Sequence, residues 1–123
     1  ETVRLIEHAG SEGLFVATDV SQAQDNVRLV AKTVERFGKL TASFLNAGVI
    51  SFGPITEADE NEWERQIAIN LRGVFLGLKY QIPAMLQSGG GSIVANSTVV
   101  AEVGVAGATI YAASKGGVIS LIR

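Results

Sequence analysis

Thr41-Ala42-Ser43-Phe44-Leu45-Asn46-Ala47-Gly48 is the stretch that decides the fold. The run Ala42 to Leu45 is short and largely apolar, and it ends in Asn46-Ala47-Gly48. A run of this length bounded by turn residues reads as a strand. On its upstream side Val27, Val30, Ala31, Val34 and Phe37 recur on one face of a helix. Ser21 opens that helix, with Gln24 three residues on as a capping box, and Gly38 stops it. On its downstream side, after a loop through Gly53 and Pro54, a long helix is expected from about Glu57 to Met85. Thr56 or Asp59 would cap it.

The same alternation continues outward. Glu1 to Ala9 reads as the tail of a helix, stopped by Gly10 and Gly13. Leu14 to Thr18 reads as a buried strand, bounded by Gly13 and Asp19. Ser88 to Gly91 forms a polar turn, Ser92 to Asn96 a third strand, and Ser97 to Thr109 a loop. A last helix holds Tyr111 and runs to Arg123. Strands alternating with helices require crossover connections, hence an α/β fold with a doubly wound parallel sheet. The run Gly89-Gly90-Gly91 precedes a strand instead of joining a strand to a helix, so it reads as a turn and not as a phosphate loop.

Composition narrows the class. The 123 residues suffice for one small domain. With 47% apolar and 18% charged residues, the chain is globular in character and not disordered. A net charge of −2 without a basic cluster leaves no footprint for nucleic acid. There is no cysteine, so neither disulfides nor thiolate metal sites are available, and the single His8 cannot build a metal site alone. His8 reads as a surface helix residue. The most apolar segment, Gly73 to Met85, is interrupted by Lys79, Gln81 and Pro83, so no membrane span is expected. No signal peptide is visible, and a cytoplasmic location is expected.

In open parallel sheets, ligands bind beyond the carboxyl ends of the strands. Asp19, Asn46 to Gly48 and Ser97-Thr98 stand at the three expected strand ends. Such residues also suit turns, so their presence alone decides nothing. Tyr111 and Lys115 lie four residues apart on a helix, about 40° apart around its axis. A free tyrosine has a pKa of about 10, and a neighbouring ammonium favours the phenolate. The pair can serve as an acid–base device at a hydroxyl or carbonyl. It can equally be an ordinary surface pair. Asn70 shares a helix face with Trp63, Ile67 and Val74, an amide within an apolar stripe. A buried amide needs partners, and a neighbouring backbone would satisfy it as well as a ligand.

Taken in order, Asp19-Val20, Asn46-Ala47-Gly48, Asn70 in Asn-Leu-Arg-Gly, Ser97-Thr98 and Tyr111-Ala112-Ala113-Ser114-Lys115 resemble the short-chain dehydrogenase/reductase family over essentially the whole chain. The resemblance implies a Rossmann-like domain binding NAD or NADP. It places Asp19 and Val20 at the adenine ring and Asn46, Ala47 and Gly48 along the cofactor groove. Tyr111 becomes the acid or base on the substrate oxygen, and Lys115 the partner of the nicotinamide ribose. Asn70 would hold a water in a proton relay. Thr98, thirteen residues before Tyr111, would orient the substrate oxygen. It stands where the family usually has serine, with Ser97 as its neighbour. Leu45 and Val100-Ala101 also depart from the common pattern. Asn96-Ser97-Thr98 fits the glycosylation triplet, but a strand end is a poor acceptor site.

The implied activity interconverts a secondary alcohol and a ketone, with a small-molecule substrate and a homodimeric or homotetrameric enzyme. Val99-Val100 and Tyr111 to Val118 look like 3-oxoacyl-carrier-protein reductases, whereas Trp63 and Gly73 to Met85 look more like sugar or alcohol dehydrogenases. From another class, the chain could serve only as an association module. No Gly-x-x-x-Gly-x-Gly loop joins a strand to a helix here. The expectation is therefore a single partial domain over residues 1–123, holding strands 3, 4 and 5 of the family's order. Its first strand would have no neighbour, and the chain alone would not fold.

Overall fold

A computed structural model describes residues 1–123. Five α-helices are present, α1 (Thr2–His8), α2 (Ala23–Phe37), α3 (Glu60–Gln66), α4 (Gly73–Gln87) and α5 (Thr109–Leu121). Two strands, β1 (Ala42–Leu45) and β2 (Ser92–Ala95), pair in parallel with Leu45 opposite Ala95. Short 3₁₀ turns occupy Ile55–Glu57 and Val99–Ala101. The α/β architecture and its parallel sheet are those expected.

The segment Leu14 to Thr18 departs from expectation: it enters no ladder. A strand exists only by its hydrogen-bonding neighbour, and no other segment of the chain runs beside this one. Leu14 and Phe15 are consequently exposed. The stripe on α2 behaves likewise. Val27, Val34 and Phe37 stay exposed because the narrow sheet does not reach beneath them, while α2 packs against α4. The Ser21–Gln24 capping box does not form. Gln22 is the N-cap, and the Ser21 hydroxyl donates instead to the Asp19 carboxylate at 2.7 Å. Gly38 does end α2, in the left-handed conformation at φ 76°.

The long helix expected from Glu57 to Met85 is three pieces. Asp59 caps α3 by accepting from the Asn61 N–H at 2.9 Å. A π-helical segment, Ile67–Arg72, then separates α3 from α4. Segments of this kind recur where a side chain must be re-aimed for function. The small core lies between this rod, α5 and the sheet, and holds Val74, Leu76, Met85, Ala108, Ile110 and Val118. Glycines set the close approaches. A Cβ on Gly77 would come within 2.7 Å of Leu45, and one on Gly117 within 2.8 Å of Leu71. Small residues at these two points let α4 meet β1 and α5 meet the π segment. No helix is long and apolar enough to cross a membrane.

Candidate active site

Tyr111 and Lys115 lie one turn apart on α5, and both border an open cleft of about 270 Å³ at the carboxyl ends of β1 and β2. Asn46, Gly48, Val49, Ile50 and Asn96 complete its walls. The parallel pairing of β1 and β2 brings the cleft together, because both chains leave the sheet at the same edge.

Lys115 is almost fully buried, and its ammonium donates to the Asn96 carbonyl at 2.7 Å. Burial holds this ammonium below the usual lysine value, since the charged form loses its hydration. The adjacent Ser97 hydroxyl donates to the Lys115 carbonyl at 2.9 Å. Consecutive residues at the end of β2 therefore hold both the side chain and the main chain of Lys115.

Asn70 is completely buried in the π segment. Its Nδ2 donates to the Val49 carbonyl at 2.8 Å and to the Ser114 hydroxyl at 2.9 Å. Its Oδ1 accepts from the Val49 N–H at 2.8 Å. Ser114 in turn donates to the Tyr111 carbonyl at 2.8 Å. The amide thus ties the cleft wall at Val49 to the helix that carries Tyr111. Both open readings of this residue meet here: backbone satisfies it, and it sits directly behind the cleft.

The remaining candidates lie apart. Val20, Asn46 and Ala47 border a second cleft of about 190 Å³ beside β1 and α4, so Asn46 stands between the two. Asp19 borders neither, and its Oδ1 accepts from both the Ser21 N–H and the Ser21 hydroxyl. Thr98 is half-buried outside the Tyr111 cleft, and its hydroxyl accepts from the Val100 N–H at 3.3 Å. Asn96 was seen in the sequence only as part of a glycosylation triplet. In the structure it is exposed, lines the cleft and bonds Asn46. An asparagine following each of two parallel strands was the available signal.

Gly48 tests whether a dinucleotide fits. A Cβ there would lie 3.4 Å from both the Lys115 Nζ and the Asn70 Oδ1. Glycine keeps the floor beside the ammonium bare, as a ribose hydroxyl approaching Lys115 requires. No cluster of side chains suited to a metal ion is present.

The chain is similar to several known proteins. The trans-4-hydroxycyclohexanecarboxylate dehydrogenase of Sinomonas cyclohexanicum is 42% identical over 110 residues, 89% of this chain and 42% of the relative. An uncharacterized NAD-dependent oxidoreductase of Mycobacterium tuberculosis is 38% identical over 122 residues, 98% of this chain and 44% of the relative. A solved protein from Burkholderia xenovorans, described as a short-chain dehydrogenase/reductase, superposes with a TM-score of 0.90 at 35% identity, covering 98% of this chain and 48% of that one. The chain spans about half the length of the curated relatives it matches. A family model of short-chain dehydrogenases matches residues 1–123, and the chain belongs to that family.

Proposed function

We propose that this chain carries the acid–base half of an NAD(P)-dependent oxidoreductase that interconverts a secondary alcohol and a ketone. The observation that carries the proposal is the shared cleft: Tyr111 and Lys115 open onto the space floored by Gly48 and walled by Asn46 and Asn96. Membership of the family and relatives named as dehydrogenases support the reaction class. A relative named for NAD supports the nicotinamide cofactor.

Lys115, Asn46 and Gly48 are the residues that would hold the cofactor's ribose end, with Val20 and Ala47 bordering the neighbouring cleft. When bound, the cofactor supplies or accepts the hydride. Tyr111 gives a proton to the ketone oxygen during reduction and takes it from the alcohol during oxidation. Lys115 has three N–H donors, one of them spent on Asn96, which leaves two for a ligand in the cleft it borders. Both N–H donors of the Asn70 side chain are committed, so it would bind a relay water only through an oxygen. The Thr98 O–H stays free, because its bond to Val100 uses only a lone pair, but the residue lies outside the cleft that Tyr111 borders.

The test is NAD(P)H consumption by the full-length enzyme against a panel of ketones, followed at the nicotinamide absorbance. Tyr111→Phe keeps the ring and removes the proton. Turnover should fall by about 10²–10⁴-fold, the usual worth of a positioned acid or base. Undiminished turnover by Tyr111→Phe refutes the assignment.

A further inference from the structure

We propose that Asn96 is a positioning residue for Lys115: its side-chain amide, bonded to Asn46 across the ends of the two parallel strands, fixes the carbonyl on which the Lys115 ammonium rests. The inference depends on the reading of Lys115 as the cofactor-ribose partner given above.

The ladder between β1 and β2 ends at Leu45 and Ala95, and one more main-chain bond, from the Asn96 N–H to the Leu45 carbonyl at 3.0 Å, closes it. Beyond that point the two chains diverge. One forms the cleft floor at Gly48, the other enters the 3₁₀ turn Val99–Ala101. The Asn96 Nδ2 then donates to the Asn46 Oδ1 at 2.9 Å, extending the pairing by one side-chain rung. Asn96 is consequently held at its N–H and at its amide, while its carbonyl accepts from Lys115 at 2.7 Å.

Lysine is among the side chains with most rotamer freedom to lose, so where its ammonium points depends on what it rests against. The Ser97 bond to the Lys115 carbonyl anchors the main chain only. The Asn96 carbonyl is the group that directs the ammonium, and the Asn46–Asn96 rung is what keeps that peptide from turning. Both asparagines are exposed, so the bond between them adds little to core stability and acts chiefly on geometry.

The experiment uses the full-length enzyme and NAD(P)H, with dissociation constants from nicotinamide fluorescence and kcat and KM in parallel. Asn96→Ala should weaken cofactor binding by about three- to tenfold, the worth of one hydrogen bond, with kcat changing less. Asn46→Ala removes the same rung together with a residue of the cofactor cleft, so it should lose at least as much, and adding Asn96→Ala to it should cost nothing further. In a Lys115→Met background, Asn96→Ala should have no further effect on binding. Independent, additive losses, or an undiminished Asn96→Ala effect without the ammonium, overturn the positioning role. Asn96→Ala indistinguishable from an active wild type overturns it as well, and leaves the functional reading standing. A wild-type protein that neither binds nor oxidises NAD(P)H refutes the functional reading itself and removes the role with it.

Discussion

Replacing Asn70 by leucine isolates the network that joins the cleft wall to α5. Leucine has a similar size, so the pocket stays filled and only the hydrogen bonds are lost. Three bonds disappear: Nδ2 to the Val49 carbonyl, Nδ2 to the Ser114 hydroxyl, and the Val49 N–H to Oδ1. At about 1 kcal/mol net for each, the loss is about 3 kcal/mol. The Val49 N–H and carbonyl are left facing an apolar group. Val49 is only half-buried, so water relieves part of that cost. A loss of this size is a large fraction of the about 5–15 kcal/mol that holds a domain together. Asn70→Asp keeps the acceptor for the Val49 N–H but buries an unpaired carboxylate and sets one of its oxygens against the Val49 carbonyl, so it should cost more than Asn70→Leu. The assay is urea denaturation of the full-length protein at neutral pH, comparing midpoints at constant slope. If Asn70→Leu lies within about 1 kcal/mol of wild type, these bonds do not hold the wall to the helix, and the account of Asn70 fails.

Three further outcomes follow from the same structure. The accessible surface is 7908 Å², whereas a compact protein of this mass exposes about 6,300 Å², so the 123-residue chain by itself should lack a cooperative melt, a result checked by circular dichroism and overturned by a sharp native-like transition. Gly91→Ala would set a Cβ 2.6 Å from the Thr41 carbonyl and 2.9 Å from the Met85 sulfur, at the start of the β1–β2 pairing; a loss of about 1–3 kcal/mol is expected in thermal or urea unfolding. With Lys115 in its proposed role as the ammonium that holds the cofactor, the lowering of its pKa by burial means that cofactor affinity should fall as pH rises through a value below the usual lysine value of about 10.4. Lys115→Arg, charged throughout, should abolish that alkaline limb. The same shift makes the buried charge a cost to folding below the lowered pKa. That cost vanishes as pH rises through the ordinary value, so stability relative to Lys115→Met should increase across this window.

Periodicity and turn chemistry are local, and they carried the reading of the elements. Gly38 had to end α2 because glycine takes the left-handed conformation there at little cost, and the Ala42 to Leu45 run needed only its composition and its borders to read as a strand. The one-turn spacing of Tyr111 and Lys115 was likewise written in the chain. Long-range pairing was not. Leu14 to Thr18 has the composition of a strand and forms none, because a ladder depends on a neighbour that composition does not supply. The uniform pattern from Glu57 to Met85 hid the π segment, since which amide must turn toward Val49 and Ser114 depends on contacts 21 and 44 residues away. The rung between Asn46 and Asn96 joins residues 50 apart. Its two asparagines could be read from the sequence one at a time, and only the parallel register of β1 and β2 made them neighbours and brought the carbonyl of one beneath the Lys115 ammonium.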